Sequence, residues 1–162
     1  MHPKYAHLEV ERRWLVDPAA VDALAKEEPI AIADRYIIGT RTRLRIMRRG
    51  EQAVYKLTRK YDCDDPISRP IVTAYLDPDE YKVFAALPAF ALTKIRYKVI
   101  LEGHAFSLDQ FEGPLQGLWL SEIEFADISD LRALADPYWA LRDVTNEPAY
   151  QGATLARLGI PE

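Results

Sequence analysis

The chain has 162 residues, of which 49% are hydrophobic, and a formal net charge of −4. That length can bury one core, so we expect a single domain over residues 1–162 and not a disordered chain. The small net charge argues against a general polyanion-binding protein, and the single cysteine excludes a disulfide framework or a cysteine-based zinc site. No segment has the apolar run of a signal peptide or membrane span, which predicts a cytoplasmic protein.

The first half of the chain is expected to form strands and one short helix. Asp17 and Pro18 supply the cap and first residue of a helix over 19–26. The acidic, turn-prone stretch 61–66 is expected to be a loop. The expected strands are residues 6–16, 32–39, 40–48, 52–59 and 67–76. Pro70 places the last of these at a sheet edge or a strand start, because it cannot donate a ladder hydrogen bond.

The second half is expected to add three strands and three helices. Asp77 and Pro78 open a helix that runs to about residue 87, Ser129 caps a short helix, and a last helix covers 147–158. The expected strands are residues 92–101, 105–111 and 118–125. Eight strands in so short a chain indicate a barrel, because closure removes exposed edges. The expected fold is α+β, mainly β: a closed eight-stranded antiparallel barrel with helices packed outside.

Four of these strands carry a charge at every second position. Alternate residues on a strand point to opposite faces, so each set lines one face, and the residues between them are largely apolar. The sets are Glu9, Glu11 and Arg13; Arg41, Arg43 and Arg45; Lys94, Arg96 and Lys98; and Glu122 and Glu124. In one sheet they would form a face dense in both signs of charge. Such a face suits a highly charged ligand bridged to the protein by metal ions.

The two basic strands favour phosphate binding. Arginine is a poor choice for solubility alone but offers bidentate contacts to phosphate. Either strand by itself would favour the alternative, a solvated outer face of an antiparallel sheet, whereas the two together favour a phosphate site. Lys56 and Asp109 are single charges on other strands, and each such residue is more often on the surface than at a ligand.

The two acidic pairs favour a metal site. Carboxylates at positions i and i+2 lie roughly 6.5–7 Å apart along a strand, within reach of a shared hard cation. Mg²⁺ takes oxygen ligands and needs only one or two carboxylates besides water and ligand phosphates. The alternative is that these glutamates form ordinary cross-strand salt bridges with the arginines.

The ordered set of motifs resembles the triphosphate tunnel metalloenzymes, also called the CYTH superfamily, over nearly the whole chain. Each short motif is weak, but their order and spacing make a chance match improbable. The matching motifs are Glu9-Val10-Glu11-Arg12-Arg13, Arg43-Leu44-Arg45, Lys56, Lys94-Ile95-Arg96, Asp109 and Glu122-Ile123-Glu124. The resemblance implies a closed tunnel of eight antiparallel strands that holds a linear triphosphate together with Mg²⁺ or Mn²⁺.

The resemblance also implies a role for each matching residue. Phosphate contacts are implied for Arg43, Arg45, Lys56, Lys94 and Arg96. Metal contacts, direct or through water, are implied for Glu9, Glu11, Asp109, Glu122 and Glu124. The expected catalytic residues are Arg13, Glu11 and Glu122, with either glutamate able to orient the attacking water. The expected partner is a small triphosphate, with no nucleic acid or membrane, and the oligomeric state is left open.

Two departures from the family pattern bear on activity. Arg13 stands where the signature ends in lysine, so a planar guanidinium group replaces a compact ammonium group. Family members commonly have two further glutamates after a Ser-Arg pair, and the matching positions here are Ile71 and Thr73. Losing two carboxylates would weaken metal binding or change the ligand. Their orientation is open, because a one-residue slip reverses the face of a strand residue.

The leading hypothesis is therefore a metal-dependent phosphohydrolase that acts on inorganic triphosphate or a related triphosphate compound. Arg13, Ile71 and Thr73 motivate the main alternative, a non-catalytic module that binds triphosphate or nucleotide. An adenylate cyclase ranks last, because some members of the family make cyclic AMP but the sequence shows no nucleobase pocket.

Overall fold

The computed structural model describes residues 3–24, 26–65 and 67–162, and these residues contain nine strands and four α-helices. The strands are β1 (His7–Val16), β2 (Ile30–Ile37), β3 (Thr42–Arg49), β4 (Gln52–Lys60), β5 (Ser68–Leu76), β6 (Ala89–Leu101), β7 (His104–Phe111), β8 (Trp119–Phe125) and β9 (Ala140–Asp143). The helices are α1 (Pro18–Val21), α2 (Pro78–Ala85), α3 (Ile128–Ala133) and α4 (Gly152–Leu158). No helix in the described ranges is long and apolar enough to cross a membrane.

The first eight strands form a closed antiparallel barrel, which confirms the predicted fold. Around the barrel the order is β1, β5, β4, β3, β2, β6, β7 and β8, and β8 pairs again with β1. A short ladder closes it, in which His7–Val10 of β1 pairs with 68–71 of β5. Farther along β1, the short strand β9 pairs on that side, with Trp14 opposite Asp143. Pro70 is the third residue of β5, near the strand start as predicted.

The alternation along the strands directs apolar side chains to the outside of the barrel, where helices cover them. Trp14 of β1 is fully buried and packs against Phe106, and the Phe106 ring packs edge-on against Trp139 at 5.1 Å. Val21 of α1 and Leu131 of α3 belong to the same buried cluster. Each large apolar side chain buried here contributes on the order of 1.5–3 kcal/mol, so this outer core holds α1 and α3 against the barrel.

The C-terminal segment closes one end of the barrel. Leu155 of α4 is buried in a second cluster with Phe111 and Leu120, whose strand positions face the barrel interior. Gly152 begins this helix, and a Cβ placed there would lie 1.9 Å from the Tyr36 hydroxyl oxygen. The helix can therefore pack so close to β2 because residue 152 has no side chain. In contrast to α1 and α3, α4 lies across the barrel end.

Two predicted helix signals differ from the structure. The helix opened by Pro18 ends at Val21, well before residue 26, although Asp17 caps it as predicted. Asp127, not Ser129, caps α3, because its carboxylate accepts hydrogen bonds from the backbone N–H groups of Ser129 and Asp130. An ionised carboxylate at that position is a better acceptor for these N–H groups than a hydroxyl two residues later.

The tail and one strand also differ from the prediction. The predicted helix over 147–158 is divided into a 3₁₀ turn, Pro148–Tyr150, and α4. The four-residue strand β9 was not predicted, because it is too short to show a period. Ala25, inside the predicted first helix, and Pro66, at the end of the predicted loop, lie outside the described residues.

Candidate functional site

The charged strand faces converge on one cavity of about 740 Å³ inside the barrel. The predicted site residues that line it are Glu9, Glu11, Arg13, Arg43, Arg45, Lys56, Lys94, Arg96, Glu122 and Glu124. Asp109 is fully buried beside the cavity and contacts two of its lining cations. The structure thus brings all the predicted site residues together, and the polar stripes enclose a shared space rather than facing bulk solvent.

Strand register explains this convergence. Arg13 of β1 lies directly opposite Glu122 of β8, and Arg96 of β6 lies opposite Asp109 of β7. Side chains directly opposite each other on one face of an antiparallel pair have Cβ atoms about 5 Å apart. The pairing of the strands therefore places acidic side chains beside basic ones around the inner wall.

Arg13 bridges two carboxylates from neighbouring strands. Its Nη2 lies 3.0 Å from Glu11 Oε1 and 2.8 Å from Glu122 Oε1. Its Nη1 donates a hydrogen bond to the backbone carbonyl of Tyr150 at 2.9 Å, in the segment that closes the barrel. Burial acts to lower the pKa of Arg13, but the adjacent Glu122 and Glu11 raise it above its ordinary value. The guanidinium is therefore a fixed positive charge.

The network continues from Glu122 of β8 to the adjacent strands β7 and β6. Glu122 Oε2 accepts from Arg96 Nη2 at 2.7 Å, and Arg96 forms a bidentate pair with Asp109 at 2.6 Å for both contacts. Lys94 Nζ lies 2.5 Å from Asp109 Oδ2. Burial acts to raise the pKa of Asp109, but Arg96 and Lys94 lower it below its ordinary value. Burial lowers the pKa of Lys94, and Asp109 offsets this only in part.

A second buried ion pair was not predicted. Asp34 of β2 is 1% exposed and binds Arg45 through both oxygens, at 2.6 and 2.7 Å. Burial acts to raise the pKa of Asp34, but Arg45 lowers it to about 2. The available signal was a single acidic residue in the alternating set Ile32, Asp34 and Tyr36, which faces the same side as Arg45. One charge on an otherwise apolar strand face is too weak a pattern to identify.

Several cavity cations donate no hydrogen bond to a carboxylate among the described residues. Arg43 Nε is 3.9 Å from Asp34, is buried, and has no hydrogen-bond partner in the described part of the chain. Lys56 Nζ lies over the Tyr75 ring at 5.2 Å, and Lys98 donates to the Ser107 hydroxyl at 2.7 Å. These side chains present positive charge to the cavity.

Sequence reasoning also missed three cavity residues and assigned no phosphate contact to Lys98. Lys60 pairs with Glu9 at 2.6 Å, Arg69 lies 3.4 Å from the Gln151 side-chain oxygen, and Tyr36 lines the closed end. Lys60 and Arg69 stand at strand ends, where no repeated alternation distinguishes them from loop residues.

The wall formed by β5 carries no carboxylate. Its cavity-lining residues are Arg69, Ile71, Thr73 and Tyr75. Thr73 and Thr58 lie 3.0 Å apart, hydroxyl to hydroxyl, across the β4–β5 pair. Ile71 and Thr73 thus face the cavity, and a cation in this space can take carboxylate ligands only from the other walls.

The acidic residues differ in how far their oxygens are already used. Both oxygens of Asp109 and of Glu122 contact basic groups, whereas Glu9, Glu11 and Glu124 each contact a basic group through one oxygen. Glu11 and Glu124 lie directly opposite each other on β1 and β8. These three glutamates could hold a hard cation through their remaining oxygens. Within the described ranges, no group of three or more acidic, histidine or cysteine side chains is already gathered as a metal site.

The barrel and its inward-facing charges fit the tunnel architecture that the sequence motifs predicted, and comparison with known proteins confirms the resemblance to the triphosphate tunnel metalloenzymes of the CYTH superfamily. Among curated proteins, the chain is similar to the inorganic triphosphatase of Acetivibrio thermocellus, with 35% identity over 66 residues. That match spans 41% of this chain and 41% of the relative's length. Comparison with protein-family models gave no match.

Solved structures match over a larger part of the chain. The inorganic triphosphatase NE1496 is 25% identical, with a TM-score of 0.63 and full coverage of both chains. HpAC1 from Hippeastrum, an adenylyl cyclase-like protein described as having a dominant triphosphatase activity, is 14% identical. The match covers 77% of this chain and 82% of HpAC1 with a TM-score of 0.51, and it supports the fold alone.

Proposed function

We propose that the protein hydrolyses inorganic triphosphate, or a related triphosphate compound, inside the barrel with the help of Mg²⁺ or Mn²⁺. The observation that carries this proposal is the charge balance of the cavity. Among the described residues, nine lysines and arginines line it against four glutamates, with Asp34 and Asp109 buried beside them. Such an excess of positive charge in an enclosed space suits a small polyanion. The activity named for the Acetivibrio thermocellus relative and for NE1496 supports the same substrate class.

The basic side chains would differ in how firmly they are held before they bind phosphate. Arg43 and Lys56 donate no hydrogen bond to a carboxylate among the described residues, so their N–H groups would contact phosphate directly. Arg45, Lys94 and Arg96 are held by buried aspartates, which fixes their direction before a ligand arrives. A pair of opposite unit charges 4 Å apart is worth about 4 kcal/mol at an effective dielectric constant of 20. Several such groups can therefore hold the substrate and stabilise charge that develops on the transferred phosphoryl group.

The carboxylates would divide into two roles. Glu9 and Glu124 would hold the divalent ion, because each has an oxygen that its ion pair does not use. A divalent ion held there would supply positive charge for the phosphates and make an attacking water more acidic. Asp109 would position Lys94 and Arg96 rather than touch the metal, since both its oxygens are occupied.

Glu11 is better placed than Glu122 to orient the water and accept its proton. Burial and the charge of Glu122 raise the pKa of Glu11 above its ordinary value. Burial acts to raise the pKa of Glu122 as well, but Arg13 and Arg96 hold it well below its ordinary value. A carboxylate with a raised pKa is the stronger proton acceptor once it is ionised.

A non-catalytic triphosphate-binding module is the second candidate function, and the β5 wall is the observation that favours it. Ile71 and Thr73 face the cavity where two carboxylates would otherwise add to a metal site. Fewer carboxylates would leave phosphate binding intact while weakening the metal-dependent step.

A phosphate-release assay separates the two functions. Purified protein is incubated with inorganic triphosphate, ATP and other triphosphate compounds, in Mg²⁺, in Mn²⁺ and after chelation. Hydrolysis of inorganic triphosphate that requires metal supports the enzyme. Tight binding of triphosphate without release of phosphate from any compound would establish the binding module, and cyclic AMP with pyrophosphate would indicate a cyclase.

A further inference from the structure

Arg13 lies where a cation shared by two carboxylates would lie. One of its terminal nitrogens, Nη2, contacts Glu11 and Glu122 at 3.0 and 2.8 Å, and these glutamates belong to adjacent strands. Carboxylates this close repel each other unless a positive charge separates them. Here the positive charge between the two carboxylates is the guanidinium of Arg13 and not a bound ion.

The guanidinium is held firmly in this position. Its Nη1 is anchored to the Tyr150 carbonyl at 2.9 Å, and its side chain is 15% exposed. The two terminal nitrogens therefore have fixed and different partners, which the rigid fork of arginine makes possible and a single ammonium group cannot reproduce. Arginine also keeps its proton at any working pH, so this charge does not leave by titration.

The neighbouring wall formed by β5, which pairs with β1, offers no replacement ligands. Ile71 and Thr73 line the cavity on β5, so a cation displaced from Glu122 would find no carboxylate on that side. Among the described carboxylates that line the cavity, unused oxygens remain on Glu9, Glu11 and Glu124, on β1 and β8.

We propose that Arg13 takes the place of one divalent ion in this tunnel. Its guanidinium neutralises Glu11 and Glu122 together, excludes a divalent ion from between them, and confines metal to the side formed by Glu9, Glu11 and Glu124. The inference rests on the proposed function for the presence of a divalent ion in the cavity, but its test requires no turnover.

The test counts Mn²⁺ ions bound per chain without substrate, from the electron paramagnetic resonance signal of free Mn²⁺. The variant is Arg13→Gln, which removes the charge and keeps a polar side chain of similar volume along the strand. We expect this variant to bind one more Mn²⁺ ion than the wild type. An equal count in the two folded proteins would overturn the inference.

Lys98→Gln is the matched control, because Lys98 is a cation of the same cavity that donates its hydrogen bond to the Ser107 hydroxyl and not to a carboxylate. We expect its Mn²⁺ count to equal that of the wild type. A gain as large as that of Arg13→Gln would attribute the effect to general charge and would overturn the specific role of Arg13.

Glu122→Gln provides an independent reading if Arg13→Gln does not fold. Because Arg13 and Arg96 occupy both oxygens of Glu122, this variant is expected to keep the wild-type Mn²⁺ count. Loss of an ion would make Glu122 a metal ligand and contradict the inference. Absence of Mn²⁺ binding in wild type and variants alike would overturn both the inference and the metal dependence of the proposed function. Correct counts without triphosphate hydrolysis would leave the inference standing and remove the proposed function.

Discussion

Glu11 combines three properties at the residue scale: it lines the cavity, uses one oxygen for Arg13, and has a raised pKa because it is buried beside Glu122. We predict that Glu11→Gln lowers the turnover of inorganic triphosphate by on the order of 10²–10⁴-fold, the usual contribution of a positioned proton acceptor. Steady-state phosphate release measures the loss, and circular dichroism checks that the fold is retained. A variant with wild-type turnover would exclude Glu11 as the acceptor.

The orientation of a single residue could be predicted where charged residues recur at every second position of its strand. The inward direction of Glu9, Arg43 and Arg96 followed from alternating charges that recur on one strand. Asp34 did not recur on its strand, and its role became visible only when register placed it opposite Arg45. The partners of each charge depend on neighbouring strands and could not be read from local sequence.

At the scale of elements, α4 depends on the absence of a side chain at Gly152. A methyl group there would overlap the Tyr36 hydroxyl, at 1.9 Å, so the helix or the ring must shift. We predict that Gly152→Ala lowers the free energy of unfolding by about 1–3 kcal/mol, as overpacking does. Urea unfolding measures the change, with Ala153→Ser at the adjacent exposed position as the control. Equal stability of Gly152→Ala and wild type would show that this close approach is not required.

The strands were predicted more accurately than the helices, for a physical reason. A strand with one charged and one apolar face carries its period in every second residue, whereas α1, with four residues, is too short for a helical period. The position of α4 in the barrel end also has no local signal. An apolar helix face shows that the helix is buried but does not identify the surface that covers it.

For the whole molecule, buried ion pairs link stability to pH. The pKa of Asp34 is about 2 in the folded protein, against an ordinary value of 3.8, because Arg45 outweighs the effect of burial. A carboxyl group with a lowered folded pKa contributes stability that is present above 3.8 and is lost as pH falls toward 2. This difference corresponds to about 2 kcal/mol.

We therefore predict that the wild type loses more stability between pH 4 and pH 2 than an Asp34→Asn variant does, although the variant is less stable at pH 7. Urea unfolding at several pH values measures both. Parallel stability curves for the two proteins over this acidic range would contradict a linked role for Asp34.

The central claim is that inward-facing cations of the closed barrel bind triphosphate, and Arg43 and Arg48 of β3 allow a direct comparison. Arg43 lines the cavity, whereas Arg48 lies on the same strand, exposed and outside the cavity lining. The measurement is calorimetric titration of inorganic triphosphate into wild type, Arg43→Ala and Arg48→Ala. Loss of a hydrogen bond to a charged group costs about 1.5–3 kcal/mol, so Arg43→Ala is expected to weaken binding at least tenfold while Arg48→Ala matches the wild type. Equal affinity in all three proteins would contradict the account.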